Sequence, residues 1–171
     1  ENERRFFIVP EMLATSGNIN FRNIRDDYYA IVPPNTNFRF SEVRRAFLQF
    51  VLDPLVIKNA KDIATHRNGL KELLDNLRAT NPDVSPDVFL STMRSLVAAV
   101  DAKELEFQKV QFATDTARRR IDFAKTDAAK REISAQLNQE KQNFADETTL
   151  ELAEAYERGA VLAFYFADQL K

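Results

Sequence analysis

Apolar positions follow two different rhythms along this chain. Before residue 40 they cluster or alternate, and from the early forties onward they recur every three or four residues. The runs Arg5-Phe6-Phe7-Ile8-Val9 and Asp27-Tyr28-Tyr29-Ala30-Ile31-Val32 are β-branched and aromatic and lie against prolines. Asn18-Ile19-Asn20-Phe21-Arg22 alternates with period two. Such runs predict short strands or extended segments. Seven of the fourteen phenylalanines fall in the first fifty residues, where large aromatic anchors can fasten an irregular segment to a helical core.

The second rhythm predicts helices. Ser41 is placed to cap a helix running to about Leu52, and Asp53-Pro54 reads as a fresh N-cap and first helical position. Val56, Ala60, Ile63, Arg67, Leu70, Leu74 and Leu77 then form one seam, spaced alternately four and three. The seam keeps its phase across the polar patch Thr65-His66-Arg67-Asn68-Gly69, so a single helix, bent at most, is expected there. Val84-Ser85-Pro86-Asp87-Val88-Phe89 reads as a helix start, with Ser85 as cap, Pro86 first, and Val84 stapled to Phe89. Its core stripe passes through Phe89, Met93, Leu96 and Val100, then through Phe107, Val110, Thr114, Ala117, Ile121, Ala124 and Ala128. It shifts phase before Ile133, Leu137, Glu140 and Phe144. Breaks are expected near Asp101, where Asp101 to Glu104 resembles a capping box, and near residues 128–133. A further box, Thr148-Thr149-Leu150-Glu151, is expected to open a last helix with Leu152, Tyr156, Ala160, Ala163, Ala167 and Leu170 on one face.

These elements sum to an all-α, mainly helical fold: an elongated bundle of four to five long helices. Residues 1–171 read as one domain, with an aromatic, extended segment over 1–40 packed on helices over 41–171. Three glycines and six prolines supply little turn chemistry, which fits few and long helices. The longest apolar run, Ala160 to Ala167, is too short to span a bilayer. Glu1 rather than Met opens the chain, as in a processed chain or an excised domain, and the lack of cysteine suits secreted, periplasmic and cytoplasmic settings alike.

The chemistry on offer is sparse. His66 is the sole histidine, so neither a nucleophilic triad nor a structural zinc site is composed, and Glu-x-x-His, the di-iron signature of helical bundles, is absent. Gly17, Gly69 and Gly159 stand alone, without a phosphate-cradling loop. No catalytic residue, metal ligand or cofactor is therefore assigned. Glu147, Glu151, Glu154 and Glu157 share one helix side and read as a solvated face at a helix N-terminus.

Charge is patterned more tellingly. Net charge is −2, yet residues 109–131 carry seven basic and three acidic side chains, and residues 132–157 one basic and seven acidic. Arg118-Arg119-Arg120 is the densest basic point. Three consecutive helical residues diverge by about 100° each, which disfavours a nucleic-acid stripe and favours a basic helix lying on an acidic one. The run Gly159 to Ala167 is apolar around a whole helix circumference, so it is central in the fold or meets a partner. Phe164 and Tyr165, with Arg118, Arg119 and Arg120, are the candidate interaction residues. The expectation is a non-catalytic helical interaction or scaffold domain, binding a protein partner or a second copy. A binder of an apolar or anionic small ligand ranks second, and a carboxylate-dependent enzyme last.

Overall fold

A computed structural model describes residues 3–15, 19–38 and 42–170. The protein is mainly α, with six helices and a three-stranded sheet among the described residues. It divides into two compact units, Glu1–Ile63 and Ala64–Lys171.

In the first unit, β1 (Phe6–Pro10), β2 (Asn20–Ile24) and β3 (Asp27–Val32) form a sheet of order β1-β3-β2. β1 runs parallel to β3 and β2 antiparallel to it. Register places Phe6 beside Tyr28 and Phe21 beside Ala30, so alternate residues share a face. That face receives α1 (Glu42–Lys58): Ala30, Val32 and Val43 are buried together, and Phe6 packs its ring edge-on to Phe47 at 5.4 Å and tilted to Phe50 at 5.6 Å. The expected N-cap Ser41 lies outside the described residues. Pro54 does not restart the chain; it sits inside α1. A proline there removes one backbone bond, but the helix is held on both sides of it by Phe47 and Phe50 against the sheet and by buried Val56.

The seam from Val56 to Leu77 is not one helix. It is cut into the end of α1, α2 (Ala60–Thr65) and α3 (Arg67–Arg78), with single-residue interruptions at Asn59 and His66. The interrupting residues still accept backbone bonds: Ile63 N–H donates to the Asn59 carbonyl and Leu70 N–H to the His66 carbonyl, both at 3.1 Å.

The second unit is built on a helical hairpin of α4 (Val88–Phe123) and α5 (Asp127–Glu157), 36 and 31 residues long. Asp87, not Ser85, caps α4, taking the Phe89 and Leu90 N–H groups on Oδ1 at 2.9 and 3.2 Å. Ser85 instead accepts the Asp87 N–H at 3.3 Å and so orders the approach to the cap. No break occurs at Asp101, which is buried within α4. The chain reverses at Ala124–Thr126, just ahead of the phase shift in the sequence. Thr126 caps α5 by accepting the Ala129 N–H at 3.2 Å. Thr148 and Thr149 open no helix: Thr148 is buried inside α5, and the Thr149 hydroxyl donates back to the Ala145 carbonyl at 2.9 Å.

The last helix begins only at α6 (Ala163–Gln169), after a turn through Gly159. Gly159 has φ +97°, and a Cβ there would lie 2.9 Å from Val84 Cγ1. Two buried serines of α4 hold this turn. Ser91 donates to the Gly159 carbonyl at 2.6 Å, and Ser95 accepts the Leu162 N–H at 3.0 Å. α6 is thereby laid onto the hairpin, and Ala99, Ala102, Leu152, Ala160, Ala163 and Ala167 form one core cluster.

Two stability outcomes follow from this geometry. Asp87→Ala should cost about 0.5–2 kcal/mol and exceed Ser85→Ala in urea unfolding; the reverse order would move the cap back to Ser85. Gly159→Ala meets both an unfavourable φ and a steric contact and should cost about 1–3 kcal/mol. An unchanged unfolding midpoint would contradict the left-handed turn.

Candidate interaction surface

Alanine governs the contact between α4 and its neighbours. Ala99 and Ala117 lie about five full turns apart, and Ala102 and Ala113 about three, so all four sit on one face of α4. All are buried. Small side chains bring a facing helix close, but they leave a shallow trough where no third helix fills the space. α6 fills it over Ala99 and Ala102. Farther along the hairpin, over Ala113 and Ala117, the trough is an open groove of about 290 Å³.

The groove has an apolar floor of Ala113, Ala117 and Ile133, flanked by Phe112, Leu137 and Phe144. Lys109, Arg120 and Glu140 stand among its lining residues. Lys109 pairs with Glu147 across the hairpin at 2.8 Å and sits 5.9 Å from the Phe144 ring centroid. Arg120 donates to Gln136 Oε1 at 3.1 Å. Both ties are exposed or partly exposed and contribute at most about 1 kcal/mol each; they fix register more than they stabilise. Phe112 is 76% exposed and Phe123 86%, and the two lie about three turns apart on one side of α4.

The candidate residues read from sequence fall in separate places. Arg118, Arg119 and Arg120 are exposed near the turn of the hairpin, and only Arg120 lines the groove. Phe164 and Tyr165 lie on α6, 43% and 61% exposed, while Ala163 and Ala167 face inward. The Gly159–Ala167 run is thus not a central helix: its first four residues form a turn, and Ala160, Ala163 and Ala167 enter the core with only Phe166 of the three aromatics packed against it. Phe107 and Phe89, placed in the core stripe by spacing, are exposed at 60% and 39%. The sequence reading missed Phe112 and Phe123, although their separation of three turns, outside the core stripe, is visible in the sequence.

The glutamate row sits at the C-terminal end of α5, the negative end of its dipole, not at an N-terminus. Glu147 is paired with Lys109, and Glu154 lies 3.8 Å from Arg158. Among the described residues no group of three or more His, Cys, Asp or Glu side chains could hold a metal ion. His66 is exposed between α2 and α3 and makes no side-chain cap bond. In the first unit an open pocket of about 420 Å³ borders Arg4, Arg25, Asp26, Tyr28 and Phe50, with Arg4 bound to Asp53 at 3.1 Å and 4.9 Å from the Phe50 ring centroid. Among the described residues no helix is long and apolar enough to cross a membrane.

Comparison with known proteins gives no relative. No protein-family model, curated protein or solved structure matches this chain.

The groove predicts a contrast in stability measured on dilute protein. Phe112→Ser and Phe123→Ser should each change unfolding free energy by less than about 0.5 kcal/mol, as expected of exposed sites. Ile133→Ala, on the floor, should cost about 2–5 kcal/mol. A large loss at Phe112 or Phe123 would mean that these rings are part of the core.

Proposed function

We propose that this chain is a non-catalytic helical interaction domain that works through protein–protein contact, self-association included. The observation that carries this reading is the apolar surface left in solvent along the hairpin: Phe112, which lines the open groove, and Phe123, about three turns farther along α4 and outside that lining. Large rings exposed together on one side of a helix mark a contact surface more often than scattered single residues do. A second chain would also supply the helices that turn the two long ones seen here into an elongated bundle of four.

The other readings find less support. An open trough along a helix pair suits a row of side chains from another helix, whereas a small ligand is held in an enclosing pocket with convergent polar groups. For a carboxylate-based reaction, two acids must face one reacting bond, and two acids of the α5 row, Glu147 and Glu154, face Lys109 and Arg158 instead.

Sedimentation equilibrium tests the reading. Apparent mass should rise with concentration from low micromolar to near millimolar, and the Phe112→Ser/Phe123→Ser double variant should weaken association by about tenfold or more. A wild-type chain that stays monomeric throughout would contradict self-association.

A further inference from the structure

We infer that the open half of the α4–α5 groove is covered by the same half of a second copy of this chain, antiparallel about a two-fold axis passing close to Ala113 and Thr116. The inference rests on the self-association reading above and names its surface, partner and register.

Three observations converge on this arrangement. The groove continues a surface that already binds a helix: α6 lies on the Ala99–Ala102 stretch of the alanine face, and the Ala113–Ala117 stretch, buried within the hairpin, forms the floor of the open groove. Because α6 occupies the first stretch, an incoming chain has only the half of the hairpin nearer the turn to cover. Charge then selects direction. Residues 118–131 carry six basic and two acidic side chains, net +4. Residues 103–111 and 145–152, which meet near the Lys109–Glu147 pair, together carry two basic and five acidic, net −3, with Glu106 tied to Lys103 and Glu147 to Lys109. Antiparallel overlap lays each basic end over the other chain's acidic stretch, while parallel overlap would set like charges together. Finally, a two-fold contact uses the same patch twice. The patch is suited to that, since it offers both a ring standing in solvent, Phe112, and a floor of small residues to receive one.

The chain has no cysteine, so single thiols can be introduced without background. Thr116→Cys lies on the groove, and Ala135→Cys lies on an exposed position of α5 outside its lining. Each variant is sedimented and then treated with a short thiol-to-thiol cross-linker. The expected result is a dimer for both, with covalent dimer formed from Thr116→Cys and little from Ala135→Cys. An associating chain that cross-links through Ala135→Cys and not Thr116→Cys overturns the groove interface and leaves self-association standing. A chain that remains monomeric, whether or not a foreign helix can occupy the groove, overturns both.

Discussion

Everything in the helical unit follows from how closely other helices can approach α4. Ala99, Ala102, Ala113 and Ala117 present almost no side chain on that face, so a neighbour can come near, but each pair leaves space that only another helix can fill. Filling it at one end depends on a short stretch of backbone. Gly159 adopts a conformation that side chains rarely tolerate, and Ser91 and Ser95 bind the resulting turn from inside α4. With the turn held there, Ala163 and Ala167 meet Ala99 and Ala102. Ala113 and Ala117 are buried within the hairpin but have no α6 over them, and that asymmetry leaves the groove they line.

How much of this could be read in the sequence depends on the type of signal. Periodicity identified the helices and the extended segment, because burying one face imposes a period regardless of what covers it. Local start and stop signals did worse. Asp53-Pro54, Asp101 to Glu104 and Thr148 to Glu151 resemble caps, yet all lie inside helices, where packing outweighs a local preference worth about 1 kcal/mol. His66 and Asn59 interrupt the seam, and because their carbonyls still accept helix-type backbone bonds, spacing alone could not reveal the cuts. The true ends rest on particular geometry: Thr126 at the hairpin turn and the positive φ of Gly159.

The interaction surface was legible in part. The opposing charges of residues 109–131 and 132–157 are plain in the sequence, and the Lys109–Glu147 pair joins those two stretches across the hairpin. Phe112 and Phe123 stand outside the core stripe in the sequence, but position off a stripe does not by itself say that a ring is left in solvent, so their exposure is known only from the structure. In the aromatic C-terminal run, read as either central or partner-facing, the two candidate residues are the exposed ones. Ala160, Ala163 and Ala167 fill the core there with Phe166 packed against them, and Phe164 and Tyr165 are left outside.

Half of the alanine face is closed by the chain's own α6, and in this account the other half is closed by a second molecule. Amide hydrogen exchange at low and high protein concentration tests that division directly, because it reports cover residue by residue. The account predicts slow exchange at residues 95–103 under both conditions, with added protection at high concentration confined to residues 109–120 and 133–144. Exchange in the groove segments that is indifferent to concentration, or added protection that falls elsewhere, would contradict it.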